Sequence, residues 1–284
     1  MNNIFWLIIF GVLSTIPMEP ASVPVKSTIK VPKQILETIF DGKDARLITG
    51  KINQLASADA KLQQFMQSTD NINAVINHVS KKTNAVPLYV AFNLGAMGWL
   101  KNEYQKGSIS TPQMAALLNE AFVNGDINLL IQAVNIIPAL SKFIFNDIKK
   151  TTFLLRALEH AQGFPLVQAL ISNGADVNQA DAMGMTPLVY AINFTQTPAL
   201  RELLIAGANV NKKTVLASPL YFAVKEGYLE GVKLLLNANA DIDTVTLELA
   251  QKNNSVFSRE EILKVLQEKL ANPNKRFSFL TEKL

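Results

Sequence analysis

The residue types that carry most enzyme chemistry are sparse and badly placed in this chain. His78 and His160 are its two histidines, 82 positions apart, and neither lies beside an acidic motif. That arrangement excludes a helical HExxH zinc site and a triad with a duplicated base. His160 reads instead as an ordinary surface residue of a helix. There is no cysteine, so thiolate metal sites, disulfides and a cysteine nucleophile are all ruled out. Gly42-Lys43 and Gly50-Lys51 pair glycine with lysine as a phosphate loop does, but the spacing is wrong and Ile52 stands where serine or threonine should. Asp176, Asn178 and Asp181 offer the oxygens of a calcium loop without its glycine, with Ala180 between them, and fit a structural turn better. Glu260-Glu261 and Asp241-Asp243 could exchange protons with a substrate. One pair opens a helix, however, and the other sits in a recurring exit turn. No catalytic, metal or cofactor-binding residue is assigned, no cofactor is expected, and the chain reads as a non-enzyme.

Composition narrows the remaining classes. A chain of 284 residues, 49% hydrophobic and 18% charged, can bury a substantial core. Basic residues exceed acidic ones by only 27 to 23 and are scattered. A nucleic-acid surface needs a concentrated stripe of cations, so none is expected. Ile4 to Ile16 (IFWLIIFGVLSTI) is followed by Pro17, Pro20, Ala21 and Ser22, which has the shape of a signal peptide over 1–21. The run is shorter than the roughly 20 apolar residues of a comfortable span. An uncleaved membrane anchor and a buried N-terminal helix are the alternatives, the segment having no lysine or arginine before it. Export to the periplasm or medium is the expectation, and a membrane is expected only through 4–16 if they stay uncleaved. Residues 22–32, with Pro24 and Pro32, read as a linker.

From about 33 to 146 the apolar residues recur at helical spacing, as in Ile35, Leu36, Ile39 and Phe40, then Leu47, Ile48, Ile52 and Leu55. Ser110 to Gln113 suggests a helix start with proline in its first turn, placing a helix over Met114–Val123. Asn124-Gly125-Asp126 breaks it, and a second helix is expected from Asp126 toward Val134. Val86–Leu100 (VPLYVAFNLGAMGWL) is the most apolar stretch after residue 22. It reads as a buried or interface helix, membrane insertion being the alternative.

Beyond residue 153 two markers keep one period. Asn173-Gly174-Ala175-Asp176-Val177-Asn178 is echoed by Ala206 to Asn211 and again by Ala238 to Asp243, with Gly174 and Gly207 33 residues apart and Gly207 and Asn239 32 apart. Thr186-Pro187-Leu188 with Ala191 recurs as Ser218-Pro219-Leu220 with Ala223, 32 residues on. Two independent markers in step mean a repeat array. This region resembles the ankyrin repeat family, whose unit is a turn and two antiparallel helices with a T-P-L-H-x-A start and a G-A-D-V-N exit. Val189 and Tyr221 stand where the family has histidine, and the unit around Phe153 lacks the threonine-proline start. A degenerate unit is suggested from about 112 by Leu118, Ala121 and Gly125.

The resemblance implies an all-α solenoid of stacked helix-turn-helix units over 147–271, closed by a C-terminal capping helix that starts at Ser258 to Glu261, then a tail over 272–284. It also implies a protein-binding scaffold, expected to be a monomer, that engages a partner on a concave strip of turn tips and first-helix faces. Carried over by register, the tips are Ala182, Met183 and Met185, then Lys213, Val215 and Leu216. The first-helix positions are Tyr190, Asn193 and Phe194, then Phe222, Lys225 and Glu226. Tyr190 and Phe222 suit either partner anchoring or packing against the next repeat.

Overall fold

The computed structural model describes residues 30–40, 44–83, 87–252 and 257–277. The expectations placed on 1–21 and on most of the 22–32 linker lie outside them. The chain divides into two compact units, one up to Ser110 and one from Thr111 onward. Among the described residues all regular structure is helical, apart from one isolated antiparallel bridge between Ile144 and Thr152.

In the first unit α1 (Lys33–Phe40), α2 (Ala45–Ala58), α3 (Ala60–Phe65), α4 (Thr69–Thr83), α5 (Pro87–Asn93) and α6 (Met97–Gln105) follow one another. Asp44 and Asp59 start α2 and α3 by accepting hydrogen bonds from Arg46 N at 2.8 Å and Lys61 N at 2.8 Å. These donors have no partner inside their own helix, which is why aspartate is favoured there. Ile35, Ile48 and Ile52 reach the core with Val75, Ile76, Val79 and Val90, whereas Leu47 of the expected apolar face lies exposed. Val86–Leu100 is not one helix. Leu94 to Ala96 break it, Gly95 taking a φ of 65°, and the pieces become α5 and α6 with Val90, Ala91, Phe92, Trp99 and Leu100 buried. No described helix is long and apolar enough to cross a membrane.

The second unit holds α7 (Thr111–Asn124), α8 (Ile127–Ile136), a short 3-10 turn (Pro138–Lys142), α9 (Phe153–Glu159), α10 (Phe164–Ser172), α11 (Pro187–Asn193), α12 (Thr197–Ile205), α13 (Pro219–Lys225), α14 (Leu229–Asn237), α15 (Thr244–Lys252) and α16 (Phe257–Ala271). α9, α11, α13 and α15 stack side by side as one layer, and α8, α10, α12, α14 and α16 stack as the other. The first layer starts on hydroxyl caps: Thr152, Thr186 and Ser218 accept from Leu155 N, Val189 N and Tyr221 N at 3.2–3.3 Å. The unit around Phe153 therefore keeps the threonine and lacks only the proline, Phe153 standing in its place. Ala157, Ala191 and Ala223 are fully buried, so neighbouring first helices can approach closely. Leu154, Leu158, Leu166, Leu170, Leu188, Leu203, Leu220 and Leu235 fill the space between the layers.

One turn recurs bond for bond inside several pairs, though not between α9 and α10, where His160 N donates to Ala157 O and Gly163 N to His160 O. In the third pair Gly227 N donates to Val224 O, Tyr228 N to Ala223 O and Leu229 N to Gly227 O. The same three bonds occur around Ala191 and around Ala121, which places α7 and α8 in the array's pattern. They also occur in the first unit, where Gly95 N, Ala96 N and Met97 N bond to Phe92 O, Ala91 O and Gly95 O. α5 and α6 have seven and nine residues, as do α13 and α14, and both pairs end in a left-handed residue, Gly107 in one and Asn239 in the other. The sequence agrees: Pro87-Leu88-Tyr89-Val90-Ala91 matches Pro219-Leu220-Tyr221-Phe222-Ala223 at four of five positions. A helix pair of repeat dimensions thus lies upstream of Ser110, where the sequence reading saw a single apolar helix.

The far end closes with α16, whose Ile262, Val265 and Leu266 are buried. The side chain of Ser258 lies outside the described residues. Residues 272–277, expected as part of a tail, are folded back: the Asn237 side chain donates to Phe277 O and accepts from Phe277 N, both at 2.9 Å, and Phe277 is buried.

Candidate functional site

Three hairpin-like fingers project before the first helices, at 147–151, 181–185 and 214–217. Each is organised by an oxygen at its first residue. Asp147 accepts from Thr151 N at 2.9 Å and from the Thr151 hydroxyl. Asp181 accepts from Met183 N at 2.9 Å, Met185 N at 2.8 Å and the Tyr190 hydroxyl at 3.1 Å. Thr214 Oγ1 accepts from Leu216 N and Ala217 N, both at 3.1 Å. Turning these oxygens inward ties up the amides of the bend and leaves the tip side chains outside. Lys150 takes a φ of 50° where the second finger has Gly184 at 75°.

The fingers abut. Ala182 N donates to Lys149 O at 2.7 Å, and a Cβ at Gly184 would lie 3.5 Å from Val215 N. Behind them, Asn178 and Asn211 act as clips between successive units. Asn178 accepts from Asn209 N at 2.7 Å and donates to Gly207 O at 3.3 Å. Asn211 accepts from Asp241 N at 2.9 Å and donates to Asn239 O at 3.5 Å. At the next equivalent position Asp243 accepts from Thr246 N at 2.8 Å and starts α15. The oxygens that resembled a calcium loop are thus committed to turns and clips, and no group of three or more metal-ligating side chains gathers among the described residues.

Two features set the electrostatics. Burial raises the Asp147 carboxyl, but the Thr151 hydrogen bonds and the Arg156 guanidinium at 3.2 Å outweigh it and hold the group below the usual carboxylate range. Burial and then the Asp181 carboxylate push the Tyr190 phenol far above its ordinary value, so it stays a neutral donor.

The residues picked from the sequence fall into two groups. Ala182, Met183, Lys213, Val215 and Leu216 are exposed on the tips, Val215 and Leu216 at 82% and 83%, while Met185 is half-buried. Asn193, Phe194, Lys225 and Glu226 are exposed at the ends of α11 and α13. Tyr190 and Phe222, each 6% exposed, are packed inside, which favours the packing alternative for them. Tyr190 still connects the two exposed regions, since its hydroxyl reaches Asp181 and its ring lies 6.3 Å from that of Phe194. The sequence reading missed the first finger. Ile148, fully exposed, with Lys149 and Lys150, precedes Thr152 as Met183 and Gly184 precede Thr186, and the Asp147 to Asp181 spacing was the signal that could have found it.

Other candidates stay apart from this surface. Glu260 and Glu261 are exposed at the start of α16, and Asp241 is exposed in the last exit turn. Gly50 and Lys51 border an open groove of about 590 Å³ with Asp44, Arg46, Leu47 and Gln54.

Comparison with known proteins bears on the second unit. A family model described as ankyrin repeats in three copies matches residues 114–214 and 154–246. The human ankyrin repeat and SOCS box protein 5 is 34% identical over 104 residues, 37% of this chain and 32% of that protein. The ankyrin repeat, SAM and basic leucine zipper domain-containing protein 1 of Carollia perspicillata is 37% identical over 81 residues, 27% of this chain and 17% of its own length. A Fowlpox virus chain described as an ankyrin repeat protein is 39% identical over 74 residues, 26% of this chain and 14% of its own. The chain thus spans a third or less of these relatives.

Proposed function

This chain is an ankyrin repeat protein through residues 114–246, and on that premise we propose that it is a non-catalytic scaffold which binds a protein partner across its fingers and the exposed ends of its first helices. One observation carries the reading. The second-layer helices expose large apolar side chains one to a helix, at Ile136, Ile205 and Leu270, whereas the three abutting fingers gather Ile148, Met183, Val215 and Leu216 together in water. Apolar side chains gathered at the tips of a rigid row gain free energy only when something covers them. A monomer with one such face is the simplest assembly that fits.

Cross-linking mass spectrometry in the source cell, comparing the natural chain with Val215→Asp/Leu216→Asp, tests this. The double variant should lose its cross-linked proteins while keeping its thermal melt. An unchanged set of partners would remove the fingers from the site, and absence of any partner on the natural chain would sink the scaffold reading. Export through residues 4–16 belongs to the same proposal and rests on the apolar run and the small residues after it. Mass spectrometry of cell fractions should find a protein beginning near residue 22 outside the cytosol. An intact Met1 in the membrane would make the segment an anchor, and an intact Met1 in the cytosol would end the export reading.

A further inference from the structure

The fingers show water one sign of charge. Residues 142–150, 179–185 and 212–217 contain two carboxylates, Asp147 and Asp181. Both are turned inward, Asp147 onto Thr151 and Arg156, and Asp181 onto Met183 N, Met185 N and Tyr190. The lysines face the other way. Lys149, Lys150 and Lys213 are exposed, and no ion pair holds them among the described residues, while Lys212 is spent on Asn178 O at 2.7 Å. These cations lie between the aliphatic tips of Ile148, Met183, Val215 and Leu216 along a single row, Lys149 also within electrostatic reach of Glu159 at the end of α9.

We propose that this face takes an acidic segment of a partner protein, one in which carboxylates are interspersed with apolar side chains. The inference rests on the scaffold reading and adds the chemistry of the ligand to it. Complementary charge would steer the segment and fix its register, while the tips would be covered by its apolar side chains. A nucleic acid offers phosphates to the lysines and nothing to cover the tips. An anionic lipid surface would meet tips and lysines alike, and the vesicle measurement below separates it from a protein segment. A protein segment gains a further contact at Phe194, exposed at the end of α11 and tied to the second finger by the buried Tyr190, whose hydroxyl reaches Asp181 and whose ring lies 6.3 Å from that of Phe194.

The test is selection of a displayed library of random 16-residue peptides on the full chain, with two variants beside it. Lys149→Glu/Lys150→Glu/Lys213→Glu reverses the row. Lys61→Glu/Lys101→Glu/Lys264→Glu makes the same change in net charge at other exposed lysines. Selected peptides should be net acidic with apolar residues interspersed. Their affinity should fall about fivefold to a hundredfold on the first variant, since three exposed pairs at a few tenths of a kcal/mol to ~1 kcal/mol each give that range. It should fall comparably when salt is raised from about 0.05 to 0.5 M, and change less than about twofold on the second variant. Enrichment of neutral or basic peptides, or equal binding by the first variant, overturns the acidic ligand while the scaffold reading stands. Failure to enrich any peptide overturns the inference. If phosphatidylserine vesicles then retain the chain, the face is a lipid contact and the scaffold reading falls with it.

Discussion

Asp181→Ala should be among the most costly single changes in the fingers, and its size follows from what the carboxylate holds. Three donors converge on it, at 2.8, 2.9 and 3.1 Å, and the residue is 7% exposed. Hydrogen bonds to a charged acceptor contribute about 1.5–3 kcal/mol each, and a nearly buried carboxylate gives back part of that total as desolvation cost. A net loss of about 2–4 kcal/mol follows, equivalent to about 5–12 °C in melting temperature for a unit of this size. Tyr190→Phe removes one of the three bonds and should cost about 1–1.5 kcal/mol. The double variant should then fall short of the sum by about 1 kcal/mol, because the second change has no remaining bond to break. Urea denaturation followed by circular dichroism on the four proteins gives the cycle, and amide exchange should show Met183 and Met185 losing protection in Asp181→Ala. A loss below about 0.5 kcal/mol, or strict additivity, would refute the view that Asp181 builds the finger.

Asn178→Ala and Asn211→Ala should each cost about 1–2 kcal/mol in denaturant titrations, since each breaks two bonds between units; Asp243→Ala should cost about 0.5–2 kcal/mol through the lost start of α15. Tyr190, raised by burial and then Asp181, and Tyr228, raised by burial against the opposing Thr197 hydrogen bond, both prefer the neutral form when folded. The unfolded phenols ionise first, so stability complete below pH ~10 should decline as pH rises past it; melts from pH 8 to 11 should show this, less steeply in Tyr190→Phe. Leu235→Ala, at a fully buried position in α14, should cost about 2–5 kcal/mol by the same titration.

The parts legible in the sequence were those set by local chemistry repeated at a fixed interval. A hydroxyl before proline can cap a helix, and glycine or asparagine can turn left-handed, so Thr186, Ser218, Gly174, Gly207 and Asn239 announced their turns. The pair α5 and α6 escaped because valine, rather than a threonine or serine, precedes Pro87 in the sequence, and a continuous apolar run hides the break at Gly95. Leu47 showed the limit of periodicity. Leu47 and Ile48 are adjacent on a helix, and pattern alone does not say which of them the neighbours cover. At the candidate site the tips were readable by register, but the depth of Tyr190 and Phe222 was not, because that depends on how close adjacent helices lie. The inward turn of Asp181 needed a partner nine residues away, and the return of residues 272–277 to Asn237 needed one 40 residues away.

The clips at Asn178 and Asn211 and the different use of Asp243 bear on how such a chain can change length over generations. Each asparagine addresses only the next exit turn, so a gene segment encoding one whole period can be copied or lost between them and the new neighbours will find the same complementary groups. At Asp243 that compatibility stops: the carboxylate has no amide hydrogen to offer a following turn, and its oxygen is engaged with Thr246 N in its own helix. Duplications internal to the array would be inherited as folded variants. Additions placed after Asp243 would first need that residue to revert.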